Sequence, residues 1–255
     1  MSQLWEIIND VIADANLILE VLDARDPNGT RNKRLEKLVI AEPDKKLVLI
    51  LNKIDLVPSD VVEQWRKLLQ SEFPVIAISA ARKFERTLRF LRKKILSYAP
   101  SLPAYVGIVG YTNVGKSTII NGLKGIKTVG TSPQAGFTRG KQYINLSKNI
   151  RLIDSPGIIP IEGDEIEKAL KAVITPEKVT NVDAVVKEIM NRVGNVVLSK
   201  FYSVQFAELD EFLEKLAKRR GKLLPGGVPD VYEAAKIVIR DFQRGQILYY
   251  TLPEK

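Results

Sequence analysis

The octapeptide Gly110-Tyr-Thr-Asn-Val-Gly115-Lys116-Ser117 limits what this chain can fold into more than any other stretch. It matches G-x-x-x-x-G-K-[ST], and it stands between an apolar run at residues 105–109 and a helix-patterned stretch at residues 117–123. Glycine allows the tight turn that such a loop needs. The loop's N–H groups then face inward, and the helix start adds its dipole, so the turn suits a polyphosphate. In that setting Lys116 is expected to bridge the β- and γ-phosphates and the Ser117 hydroxyl to hold Mg²⁺. Val114, Gly115 and Thr118 line the same loop.

The flanking pattern fits one fold class. Residues 17–22 (LILEVL), 47–51 (LVLIL) and 75–78 are short apolar runs like 105–109, and helix-patterned stretches at 61–69, 84–98 and 117–123 alternate with them. Alternation on this scale predicts an α/β sheet with helices on both faces and ligands at the carboxyl ends of the strands. Residues 143–146 and 151–153 read as a hairpin-like pair, and residues 100–103 (PSLP) as an internal linker. Past Pro160 the periodicity turns helical, at 165–173, 182–193, 209–219 and 231–244. The expectation is therefore an α/β domain over 1–160 and an all-helical domain over 161–255.

Further candidates lie at predicted strand ends. Asp154-Ser-Pro-Gly157 closes a second apolar run; its aspartate suits the Mg²⁺ shell, and the Gly157 amide suits sensing of the γ-phosphate. Thr138, in Gly136-Phe-Thr-Arg-Gly140, is a candidate second metal ligand that joins only with the γ-phosphate, unless the segment is an ordinary glycine-rich turn. Asn52-Lys53-Ile54-Asp55 resembles the N-K-x-D element by which GTPases read guanine. A carboxylate there accepts from the guanine N1–H and 2-amino group together, which adenine cannot supply. Ser79-Ala80-Ala81 resembles the small-residue loop that contacts the guanine O6.

Composition removes several chemistries. The chain has no cysteine and no histidine, which excludes disulfides, Cys/His zinc sites, serine-histidine triads and imidazole acid–base work. No apolar run is long enough to span a bilayer, and the expectation is a cytoplasmic monomer without membrane contact. The formal charge is +9, and residues 160–255 are balanced, so the whole surplus lies in residues 1–159. Such a surplus suits a polyanionic partner, or else a merely solvated surface.

In conventional GTPases the phosphate loop precedes the base-reading loops; here the order is reversed. The chain resembles the circularly permuted GTPases, and among them the YlqF/RbgA branch with its archaeal and nucleolar relatives. Asp23-Ala-Arg25-Asp-Pro27 matches that family's D-A-R-x-P element, and 221–230 (GKLLPGGVPD), 240–242 (RDF) and 249–253 (YYTLP) resemble the ends of archaeal and nucleolar members. The resemblance implies GTP and GDP as ligands, Mg²⁺ as cofactor, and the large ribosomal subunit or its precursor, with rRNA, as partner.

It also implies slow hydrolysis. Ile158 stands where Ras-like enzymes carry a water-orienting glutamine. Asn113 stands where potassium-stimulated relatives coordinate K⁺ in the role of an arginine finger, or it only shapes the loop. Two basic clusters, Arg82, Lys83, Arg86, Arg89, Arg92, Lys93 and Lys94 and then Arg31, Lys33, Arg34 and Lys37, are candidate rRNA contacts, with Lys215, Lys218, Arg219, Arg220 and Lys222 as a third. The other readings are a signalling GTPase acting on a protein or other RNA, and a nucleotide-gated RNA scaffold with little turnover.

Overall fold

Runs such as LVLIL are apolar on both faces and form interior strands; the stretches between them are apolar on one face only and form the covering helices. The computed structural model describes residues 3–81, 84–125, 143–153 and 163–253. In chain order the first part contains α1 (Gln3–Asp14), β1 (Leu17–Asp23), α2 (Pro27–Thr30), α3 (Lys33–Ile40), β2 (Lys46–Asn52), α4 (Ser59–Gln70), β3 (Val75–Ala77), α5 (Phe84–Tyr98), β4 (Ala104–Val109), α6 (Lys116–Gly125), β5 (Tyr143–Ser147) and β6 (Ile150–Ile153). The sheet order is β3-β2-β1-β4-β6-β5, parallel except for β5 against β6.

The chain builds outward from β1 to β3, then crosses back through α5 to start β4 on the other side of β1. This reversal between β1 and β4 is a topological switch point, where open α/β sheets place their ligands. Asn16 ties the crossing down: its Nδ2 donates to Ser101 Oγ at 2.9 Å and Pro103 O at 3.2 Å, and its Oδ1 accepts from Tyr105 N at 2.9 Å. The predicted linker is thus fixed to the strand it precedes.

Two apolar layers sandwich the sheet. On one face α1, α3 and α4 contribute Trp5, Ile8, Leu35, Val39, Trp65 and Leu69; on the other α5 and α6 contribute Leu88, Leu91, Ile95, Ile119 and Leu123. A fully buried side chain of this size stabilises by about 2–3 kcal/mol. The α/β sheet with helices on both faces is the fold expected from the alternation. The strand–helix alternation does not predict α1 or α3; residues 31–37 show in the sequence as a basic cluster, although Leu35 and Val39, one helical turn apart, anchor α3.

The chain divides into two units, Met1–Pro160 with Tyr250–Lys255, and Ile161–Tyr249. The second contains α7 (Glu165–Leu170), α8 (Val182–Val193), α9 (Asn195–Tyr202), α10 (Leu209–Arg219) and α11 (Val231–Gln243) around a core that includes Val185, Ile189, Leu198, Phe212, Leu216 and Val238. Asp164, Asn181 and Asp230 cap α7, α8 and α11 by accepting from N–H groups of the first turn. Among the described residues no helix is long and apolar enough to cross a membrane.

Candidate functional site

The phosphate loop leaves β4 at Gly110 and ends where α6 begins at Lys116. A side chain at 110 would lie 2.7 Å from Val21 O, and Gly115 has φ +104°. The first helical bond runs from Ile119 N to Gly115 O, so the N–H groups of residues 116–118 point beyond the helix start. Lys116 is only 6% exposed, its ammonium donates to Tyr111 O, and burial lowers its pKa to about 8. Ser117 and Thr118, on the first turn, and Asn113, at φ 59°, are exposed. The loop thus joins a buried cation, outward amides and exposed hydroxyls at one strand end.

The N-K-x-D segment begins at the end of β2, beside the end of β1, where Asn52 is in register with Asp23. Asn52 is 2% exposed and both ends of its amide are engaged: Nδ2 donates to Val114 O at 2.8 Å and Oδ1 accepts from Ala80 N at 3.0 Å. One side chain thereby clamps the base-reading segment to the phosphate loop and to the Ser79-Ala80 loop. It also explains Gly115, because a Cβ there would sit 2.1 Å from Asn52 Nδ2. Lys53 has φ 63°, and Asp55, partly exposed, lies in the short 3-10 turn that follows it.

Asp23 closes β1 beneath this loop. It accepts from Arg25 N at 3.0 Å, Arg25 Nε at 3.0 Å, Arg25 Nη2 at 2.8 Å and Lys53 Nζ at 2.8 Å. Burial by itself would raise its pKa, but Arg25 and Lys53 outweigh it and hold the carboxyl at about 2. Burial lowers the Lys53 pKa although Asp23 opposes this. Earlier on the same strand Glu20 is fully buried. Burial raises it to about 8, Oε1 accepts from Asn32 N at 2.7 Å, and Oε2 has no partner among the described residues. Asn32 Nδ2 donates to the hydroxyl of Tyr111, so this acid is two bonds from the phosphate loop. Neither network was identified from sequence. An isolated glutamate in an otherwise apolar run, LILEVL, is the one signal that could have drawn attention to Glu20.

Thr138, Asp154 and Gly157 lie outside the described residues, as do Ile158, Arg82 and Lys83. The basic clusters separate. Arg86, Arg89 and Lys93 on α5 are exposed, as are Lys218, Arg219, Arg220 and Lys222. In the second cluster Arg31 departs from the expectation: it is buried and forms ion pairs with Glu36 at 2.7 Å and Glu72 at 2.8 Å, whereas Lys33, 3.1 Å from Glu72, Arg34, over the Trp5 ring at 4.1 Å, and Lys37 are exposed. The two ion pairs hold Arg31 between α3 and the residue that follows α4 by two positions, which removes Arg31 from the surface available to an RNA.

Residues 6–163 match the family model of the RsgA GTPases, and residues 105–223 match a model described as a 50S ribosome-binding GTPase. A GTP-binding protein of Methanocaldococcus jannaschii is 38% identical over 98% of this chain and 67% of its own length. Nucleolar GTP-binding protein 2 of Neurospora crassa is 38% identical over 100% of this chain, which spans only 42% of that relative. The crystal structure of GNP-bound YlqF from T. maritima has a TM-score of 0.72 at 26% identity, covering 98% of both chains. With the N-K-x-D segment ahead of the phosphate loop in the chain but near it in space, at the carboxyl ends of the parallel strands, the chain belongs to the circularly permuted GTPases of the YlqF family.

Proposed function

We propose that this chain is a GTP-binding and GTP-hydrolysing switch that acts in assembly of the large ribosomal subunit and engages pre-ribosomal rRNA in a nucleotide-dependent way. One observation carries the nucleotide reading. The Asn52 amide joins the base-reading loop to the phosphate loop, so a single ligand with a guanine at one end and phosphates at the other can span both.

On this reading Asp55 accepts from the guanine N1–H and 2-amino group. Lys116 and the amides of residues 115–118 hold the phosphates; phosphate oxygens supply the counter-charge that the buried ammonium calls for. In the same reading the exposed Ser117 hydroxyl, next to Lys116 in the chain, would hold Mg²⁺, and Thr138 and Asp154 would complete the set, with Gly157 sensing the γ-phosphate. Bound Mg²⁺ supplies charge neutralisation on the β- and γ-oxygens. Asn113, exposed in the phosphate loop, is the residue that this reading assigns to K⁺.

The ribosomal destination draws on the relatives' names and on the exposed cations of α5. The test is co-sedimentation with large-subunit precursors in GTP analogue, GDP or no nucleotide, together with GTP hydrolysis in K⁺ and Na⁺ buffers. Retention by the analogue alone, weakening as salt rises, supports the reading; nucleotide-independent retention opposes it. Equal rates in K⁺ and Na⁺ oppose the role given to Asn113.

A further inference from the structure

After the helical unit the chain returns to the first unit at residue 250. There Thr251 N donates to Arg25 O at 2.7 Å, the Thr251 hydroxyl lies 3.3 Å from the same oxygen, and Trp65 Nε1 donates to Thr251 O at 2.9 Å. Tyr250 packs against the apolar layer that contains Trp65. The tail is thus held by both backbone and side-chain bonds at the D-A-R-x-P element.

The residue it grips is the one that fixes Asp23. Arg25 Nε and Nη2 meet the two Asp23 oxygens at 3.0 and 2.8 Å, and the Asp23 Oδ2 bound by Nη2 also accepts from Lys53 Nζ at 2.8 Å. Lys53 is in the left-handed region, which costs a non-glycine residue roughly 1 kcal/mol or more and persists only where its surroundings hold it. Here the surroundings are the Asp23–Lys53 ion pair and the Asn52 clamp. Asp55, two positions on, takes its place from that conformation. Bonds therefore run from the tail through Arg25 and Asp23, which lie outside the N-K-x-D segment, to Lys53 within it.

We propose that Asp23 and Arg25 are positioning residues for the guanine-reading loop, and that residues 250–253 form a strap that locks them. Guanine discrimination at Asp55 then depends on the C-terminal strap. The proposal rests on Asp55 reading guanine, and it goes further in assigning the D-A-R-x-P element and the tail to that task.

The test uses the full chain, its Thr251→Pro variant, which removes the N–H that reaches Arg25 O, a chain ending at Tyr249, and Asp23→Asn. Each is titrated with GDP, with IDP, which lacks the 2-amino group, and with pyrophosphate, which reports the phosphate loop alone. The unaltered chain is expected to prefer GDP over IDP about tenfold or more, the worth of one charge-assisted hydrogen bond. Each variant is expected to cut that preference about threefold or more while pyrophosphate binding holds. A preference unchanged in Thr251→Pro and in the shortened chain, both folded by circular dichroism, overturns the strap. Equal weakening toward GDP, IDP and pyrophosphate also overturns it, because that is general loss of structure. An unaltered chain that binds pyrophosphate but does not separate GDP from IDP instead overturns the guanine reading of Asp55.

Discussion

The base-reading side and the phosphate side of the site are built by opposite means. On the base side Asn52 bonds to Val114 and Ala80, and Lys53 bonds to Asp23; each polar group is matched to another element of the same sheet edge. On the phosphate side the buried Lys116 ammonium is matched to a carbonyl of its own loop, and Asn113, Ser117 and Thr118 face outward. The first arrangement is pre-organised, as the proposed reading of a base requires. The second stores a partly desolvated charge, which favours an anion of high charge and says nothing about the base.

The largest expected effect breaks the phosphate side alone. Lys116→Ala removes the buried cation and is expected to lower the GTP hydrolysis rate by about 10²–10³-fold, while the ratio of GDP to IDP affinity stays near that of the unaltered chain. Steady-state hydrolysis and calorimetric titration check the two halves. A collapse of the ratio would show that the two sides are not separable in this way.

Next come changes at the joint between them. Asn52→Ala leaves the buried Val114 O and Ala80 N without their partner, at about 1–3 kcal/mol each, so a loss of roughly 2–6 kcal/mol is expected in urea unfolding. Gly115→Ala pushes a methyl group to 2.1 Å from Asn52 Nδ2 at a positive φ and is expected to cost a similar amount. Part of that cost is the clash with Asn52 itself. The double variant should therefore lose less than the sum of the singles by about 1 kcal/mol; strict additivity would mean that the two residues do not meet as described.

What could be read from the sequence divides along the same line. The phosphate loop and the N-K-x-D segment are local motifs at the ends of apolar runs, so their positions, and the strands that carry them, follow from pattern alone. The bonds among them do not. Asp23 and Lys53 meet only because β1 and β2 are parallel neighbours in register, and Thr251 reaches Arg25 only because the chain returns after the helical unit. Arg31 shows the converse error. It sits in a basic run and reads as surface, yet its partner Glu72 lies 41 positions away and holds it inside. Charge density in a sequence reports where cations are, whereas their availability depends on acids brought near by the fold.

The smallest expected effects are titrations, and they set two acids of β1 against each other. Asp23 belongs to the base side. Burial works against its ionised form, but Arg25 and Lys53 prevail and its pKa falls from 3.8 to about 2. The folded chain therefore binds this proton less tightly than the unfolded one, and the stabilisation is present above about pH 4 and lost as pH falls toward 2. Glu20, tied through Asn32 to Tyr111 of the phosphate loop, is the reverse. Burial raises it from 4.5 to about 8, and the Asn32 N–H offsets this only in part. The folded chain binds this proton more tightly, so the stabilisation is present below pH 4.5 and lost as pH rises through about 8. At about 1.4 kcal/mol per pKa unit, roughly 2 kcal/mol should disappear on the acid limb, and a comparable amount between pH 6 and 8. Asp23→Asn should flatten the acid limb only and Glu20→Gln the alkaline limb only, in urea unfolding from about pH 2 to 9. If Glu20→Gln leaves the slope between pH 6 and 8 unchanged, Glu20 is already ionised in the folded chain, and its unpartnered oxygen must then be matched by a group brought in from beyond Asn32.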